Sequence, residues 1–434
     1  MRLTTLMAIL ALSCTGALAE DLKSAVDKDY PSLESLYKTL HTHPELSLHE
    51  TETAKRMAQE MRDVGFTVTE HVGGTGVVAV LKNGAGPTVL LRTELDALPV
   101  EELTGLPYAS KVKVKDPNGV ETPVAHMCGH DIHMTIWTGA ARRLVAEKEK
   151  WSGTLVMIAQ PAEETAQGAK AMLADGLFTK FPRPDYNLSL HDISGLPAGT
   201  IGLHGGPLKS AADSIDLEIR GIGGHGALPQ QTKDPIPLAA AIVNALQILV
   251  SRNNNPFEPA VVTIGSIHGG NKHNVIANSV KLQLSVRSVN DAQRKMLLDG
   301  IDRIAVNEAK AYGMPDDKLP VIKLVESTPV TYNDPALIEK LRPGLTAALG
   351  ETVVQEGKPL MTSEDFSEYG RTDPKIPSAQ IWLGAINQDL WNRTADKSTL
   401  PGTHSSWWAP DPEPTIKTGI LTLVNAATIL MPKA

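Results

Sequence analysis

A disulfide framework is excluded from the outset, because the chain carries only two cysteines, Cys14 and Cys128. Aromatic residues make up 4% of the 434 positions, which leaves few rings to stack on a planar ligand. No basic run interrupts a formal charge of −8, and that balance argues against nucleic acid or an anionic membrane as partner. No internal repeat or low-complexity tract is visible, and no apolar run is read as a membrane span. What remains is an ordinary globular composition, 42% hydrophobic and 21% charged, in a chain long enough for two domains.

The N-terminus has the form of a secretory signal. Arg2 supplies positive charge, Leu3 to Ser13 an apolar stretch, and Ala17-Leu18-Ala19 a small-residue cleavage site. The expectation is export to the periplasm or the medium with cleavage after Ala19, and Cys14 leaves lipid anchoring as the alternative. Cleavage would remove Cys14 and leave Cys128 as the lone thiol. Beyond residue 20, Thr51 to Val64 has helical spacing, whereas Val77–Val80, Val89–Leu91 and Leu155–Ala159 read as buried strands. Short apolar strands between helices predict an α/β fold with a mainly parallel sheet covered on both faces. Ser214–Arg220 and Lys281–Arg287 alternate instead, with helices over Pro237–Val250 and Asp291–Tyr312. They predict a smaller α+β insertion over 210–326, inside a discontinuous domain of 20–209 and 327–434.

Chemistry concentrates in His126-Met127-Cys128-Gly129-His130-Asp131-Ile132-His133. In extended backbone, residues two apart share a face, so Cys128 and His130 could grip one cation. The same pair could equally be a nucleophile and its base. Other ligand-type groups recur: Glu94 and Asp96 after an apolar strand, Glu163 and Glu164 after another, His191 before a Gly/Pro turn, and His404 within Pro-Gly-Thr-His-Ser. Adjacent glutamates usually mark a solvated helix start, and a lone histidine is usually a surface or satisfied core residue. Here each stands just beyond a strand or in a Gly/Pro turn, where open α/β sheets bind ligands. Of two neighbouring glutamates, one can coordinate a metal. The other stays free to take a proton from the water that metal acidifies and to pass it to a leaving amine.

These segments resemble the amidohydrolase branch of the co-catalytic metallopeptidases, which includes hippurate hydrolase, N-acetyl-diaminopimelate deacetylase and plant auxin-conjugate hydrolases. The likeness runs from His41-Thr42-His43-Pro44-Glu45-Leu46 to the C-terminal helix. It takes in Gly221 to Pro229, Gly269 to Ile276 and Thr362-Ser363-Glu364-Asp365-Phe366. It implies a metallo-aminopeptidase-like catalytic domain with an inserted lid or dimerisation domain, and a homodimer or higher homo-oligomer. It also implies two divalent metals, held by Cys128, His130, Glu164, His191 and His404. Glu163 takes the acid/base role, His225 and Asn274 bind the scissile carbonyl or substrate carboxylate, and Arg287 is a further candidate for that anion. Zinc suits the thiolate, while manganese, cobalt and nickel suit a mixed carboxylate and imidazole site. The family usually has Asp where this chain has Glu94, so Glu94 receives no role.

The leading expectation is therefore hydrolysis of the amide of N-acyl amino acids. An exported dipeptidase or carboxypeptidase is the alternative within the same chemistry. A Cys128 thiol hydrolase leaves the other ligand-type residues unexplained, and an intact acid/base glutamate speaks against a non-catalytic binding protein.

Overall fold

The computed structural model describes residues 3–115, 119–351 and 353–433. The side chains of the expected signal segment 1–19, Cys14 included, lie outside the described residues. Two compact units emerge, one of Met1–Gly206, Tyr332–Lys358 and Glu368–Ala434, the other of Pro207–Thr331 and Pro359–Ser367. The short 359–367 segment thus belongs with the smaller unit, where the sequence reading had kept it in the larger one. The reason is non-local: Leu360 bridges to Lys209, and the Ser210 amide donates to the Thr362 carbonyl at 2.8 Å. No periodicity announces such a join.

The larger unit carries an eight-stranded sheet. Its strands are β1 (Thr67–Thr69), β2 (Val77–Asn83), β3 (Thr88–Glu94), β4 (Gly153–Gln160), β5 (Tyr186–Pro197), β6 (Ile201–Leu203), β7 (Val354–Glu356) and β8 (Ser378–Ile386), in the order β1-β2-β4-β3-β5-β8-β6-β7. The central run β4, β3, β5 and β8 is parallel, while β1, β2 and β6 attach antiparallel. Every residue of β8 is buried, as is nearly all of β3 and β4, so both faces are covered and the strands read as continuous apolar runs. Helices α1 (Leu3–Thr42), α2 (Thr51–Asp63), α3 (His130–Ala146), α4 (Pro335–Leu349) and α5 (Pro412–Leu430) supply the cover. Proline at the start of α4 and of α5 costs nothing there, because a first-turn N–H has no helical partner.

The smaller unit has a four-stranded antiparallel sheet in the order Val261–Gly269, Ser279–Ser288, Ala211–Arg220, Val321–Thr328. Ala211–Arg220 alternates between buried and partly exposed residues, the signature of a sheet covered on one face. Ile215, Leu217, Ile219, Leu282 and Leu284 pack against helices Pro235–Ile248 and Asp291–Ala311, capped by Asp234 and Asn290 side chains. The stretch Pro235–Asn253 is long and apolar enough to cross a bilayer by length and composition, a property the sequence reading passed over. Its Leu238, Ala239, Ile242, Leu246 and Leu249 are spent on the unit's own core.

Candidate metal centre

Three adjacent parallel strands deliver their carboxyl ends to one place. β3 ends at Glu94 and runs on to Asp96, β4 ends at Gln160 before Glu163 and Glu164, and β5 carries His191 and Asp192. The loop before α3 adds Cys128 and, as first helical residue, His130. The expected ligands then converge. Ligand atoms of Cys128, His130 and His191 lie within 4.8 Å of one another, as do those of Cys128, Glu164 and His404 and those of His130, Glu163 and Glu164. Cys128 Sγ stands 3.7 Å from His191 Nε2, and His404 Nε2 stands 3.3 Å from Glu164 Oε2. Donors sharing one tetrahedral ion sit roughly 3.3–3.7 Å apart. The two sets that contain His191 and His404 meet at Cys128.

Both buried imidazoles are oriented by the main chain. His130 Nδ1 donates to the Asp96 carbonyl at 2.8 Å, and His191 Nδ1 to the Asp192 carbonyl at 2.8 Å. Each is thereby fixed with Nε2 facing the cluster, the tautomer that ligation needs. His130 Nε2 is buried and has no hydrogen-bond partner, with Glu163 and Glu164 oxygens 3.8 and 3.9 Å away. A buried imidazole lone pair left without a hydrogen bond is costly unless a cation takes it. The donor set, one thiolate, three imidazoles and a carboxylate, fits a transition-metal ion. Burial, with the Glu164 carboxylate adding to it, pushes the Cys128 thiol well above its ordinary value. Burial pulls His130 down, but Cys128 and Asp96 outweigh it and hold the imidazole well above its ordinary value.

The backbone is shaped for this. Gly129 has φ +82, and a Cβ there would lie 2.0 Å from the Asp192 carboxylate, so both conformation and space demand glycine. His404 also lies in the left-handed region at φ +67, its N–H donating to the Met127 carbonyl at 2.6 Å. Ala162, just before Glu163, has φ +48.

Sequence reasoning left a surrounding layer of polar residues unassigned. Glu94 is fully buried, ion-paired with Arg92, and accepts from His133 Nδ1 at 3.0 Å. His133 Nε2 in turn accepts from the Asp192 amide at 3.0 Å. Both His133 nitrogens are committed, so this histidine braces the centre instead of ligating. Asp96 accepts from Ser47 Oγ at 2.6 Å and from the Glu164 amide at 3.0 Å. Burial works against ionisation of Asp96, but His130, Ser47 and that amide hold its carboxyl below the usual range. Asp131, in the first turn of α3, accepts from His41 Nδ1 at 2.6 Å, while His41 Nε2 faces Glu102 at 3.1 Å. Burial pulls His41 down, yet the two carboxylates override it and raise the imidazole to about 10. The His41-to-Leu46 motif entered the sequence reading only as part of the family likeness, and nothing in it says whom His41 meets.

The remaining expected residues lie in the smaller unit. His225 is exposed and pairs with Val275 in a two-residue bridge, and the Gly226 amide donates to the Asn274 carbonyl at 2.9 Å. His225 and Asn274 are thus neighbours. Arg287 is half-buried near the far end of Ser279–Ser288, about 27 Å along the strand from its start. Burial lowers its pKa, with Asp213 opposing.

A model of the peptidase family M20/M25/M40 matches residues 90–398, a span that includes Glu163, Glu164 and every other expected ligand except His404. The chain belongs to that family. As an M20 member it is a hydrolase acting on amide bonds. Hippurate hydrolase of Campylobacter jejuni is 37% identical over 338 residues, covering 77% of this chain and 84% of that one. Thermostable carboxypeptidase 2 of Saccharolobus solfataricus is 33% identical, covering 93% and 96%. A solved structure from Bacillus subtilis, described as a dinuclear metal binding peptidase from the M20 family, aligns with a TM-score of 0.75. It is 28% identical, over 93% of this chain and 99% of that one.

Proposed function

We propose that this M20 hydrolase cleaves the amide bond of N-acyl amino acids, such as N-acetyl or N-benzoyl conjugates. The observation that carries the reading is the placing of Glu163 beside the convergent donors of Cys128, His130, Glu164, His191 and His404. Those donors would hold two divalent ions, zinc first and manganese, cobalt or nickel otherwise. The ions supply, when bound, polarisation of the scissile carbonyl and acidification of the attacking water. Glu163 takes the proton released by that water and returns it to the departing amine, giving a carboxylate and a free amino acid. Glu163 is about nine-tenths buried, so little bulk water competes for that proton.

The smaller unit acts as a lid in this reading. His225 donates to the developing oxyanion, Asn274 holds the carbonyl or carboxylate, and Arg287 is a further anion contact. Relatives named hippurate hydrolase and N-acetylcysteine deacetylase support the acyl preference, and those named carboxypeptidase keep dipeptides as the second reading. The apolar segment before Ala19 supports export, tested by N-terminal sequencing of the mature protein. The substrate test is a hydrolysis screen of N-acetyl, N-benzoyl and dipeptide substrates with purified protein, before and after chelation and after reloading with zinc, manganese or cobalt. Activity on acyl amino acids that chelation abolishes and metal restores is the expected result. Full activity after exhaustive demetallation overturns it.

A further inference from the structure

Glu50 opens α2 as its N-cap residue but makes no capping hydrogen bond. That task falls to Glu45, whose carboxylate accepts from the Glu52 amide at 3.3 Å and from the Thr53 amide and hydroxyl at 2.8 Å each. Relieved of capping, the Glu50 side chain is fully buried and turned inward. One oxygen, Oε1, accepts from the Leu48 amide at 2.8 Å and the Ala162 amide at 2.8 Å. The other accepts from the Thr75 hydroxyl at 2.7 Å.

Both amides on Oε1 belong to residues in the left-handed region, Leu48 at φ +68 and Ala162 at φ +48. Neither is glycine, so each resists that conformation unless something holds it. Ala162 immediately precedes Glu163, and its conformation sets where the Glu163 side chain leaves the backbone. On the other side of Glu163, the Glu164 amide is held by Asp96 Oδ2, itself fixed by Ser47. The turn is therefore clamped on both flanks by buried carboxylates, each tied into the segment that follows His41.

We propose that Glu50 is a positioning residue for the proton shuttle: it holds Ala162 in its left-handed conformation and so aims Glu163, while Asp96 independently secures Glu164. The role is one of hydrogen-bond acceptance, and a carbonyl oxygen can fill it. This assignment rests on the Glu163 role proposed above. It extends that role to a residue distant in sequence that touches neither substrate nor ion.

The test compares Glu50→Ala, Glu50→Gln and Glu163→Gln in metal-loaded protein, with metal stoichiometry, KM and kcat measured separately. Glu50→Ala should retain wild-type metal stoichiometry and KM but lose roughly tenfold to a hundredfold in kcat, the scale of a misplaced catalytic group. Glu50→Gln should recover most of that loss, because its amide oxygen accepts from both backbone N–H groups while its NH2 reaches Thr75. In an Ala162→Gly background the loss from Glu50→Ala should shrink, since glycine adopts positive φ unaided. Wild-type kcat in Glu50→Ala, no recovery in Glu50→Gln, or an equal loss in both backgrounds overturns the proposal. If Glu50→Ala does not fold, Thr75→Val loosens the same carboxylate, and an unchanged kcat there overturns it equally. Wild-type activity in Glu163→Gln would instead overturn the shuttle itself, which separates the two failures.

Discussion

Replacing Gly129 by alanine tests whether the cysteine–histidine loop is built around one backbone conformation. At φ +82 an alanine costs about 1–2 kcal/mol relative to glycine. Its methyl would also stand 2.0 Å from Asp192 Oδ2. Asp192 cannot withdraw freely, because its amide is bonded to His133 Nε2 and His191 precedes it on β5. Overpacking of this kind adds about 1–3 kcal/mol, so a total on the order of 3 kcal/mol is expected. Because Gly129 lies between Cys128 and His130, much of that cost should appear as weakened metal binding, tenfold for each 1.4 kcal/mol or so. The assay is thermal unfolding with and without zinc, alongside competitive titration of zinc affinity. Gly129→Ala should lower the midpoint of the larger unit by several degrees and narrow the gap between loaded and chelated protein. An unchanged midpoint together with unchanged affinity would refute the reasoning.

Other consequences separate the proposed roles. Glu163→Gln should keep its metal and lose several orders of magnitude in kcat, whereas Glu164→Gln should lose metal as well; equal metal content and equal residual rates contradict that division. His225→Ala should keep fold and metal and lose roughly 10²–10³-fold in kcat, as for one oxyanion donor. If two copies complete each other's sites, mixing His225→Ala with Glu163→Gln restores part of the activity; wild-type kcat in His225→Ala removes the oxyanion role. His41, raised from 6.5 to about 10 against Asp131 and Glu102, stabilises the fold fully below pH 6.5 and loses that contribution as pH climbs through about 10. The midpoint of the wild type should therefore fall more steeply between pH 7 and 10 than that of His41→Gln, as thermal unfolding in a pH series would record.

The Cys128–His130 loop was legible in the sequence because its chemistry is local: two ligand-type residues with a glycine between them, and further histidines close by. Glu163 and Glu164 were legible for the same reason, standing directly after β4. What stayed hidden depends on contacts across long stretches of chain. His133 meets Glu94, Glu50 meets Ala162, and His41 meets Asp131, and none of these pairs leaves a spacing that a single sequence reveals. Glu94 shows the limit well. As a departure from the family pattern it was noticeable, but its partner became known only when β3 and α3 were seen side by side. The 359–367 segment was missed likewise, since backbone pairing with Lys209 and Ser210 carries no compositional mark.

His130 and His191 both take their orientation from peptide carbonyls, at Asp96 and Asp192. A carbonyl oxygen is present whatever side chain its residue bears, so no substitution at either position deletes the acceptor. The Nε2 faces of these two rings are thereby insulated from drift in the surrounding sequence. His133 has no such protection, because one of its nitrogens depends on the Glu94 side chain. Divergence within this centre is therefore channelled outward, toward the carboxylates and imidazoles that brace it, while the rings at its heart can change their neighbours and still point the same way.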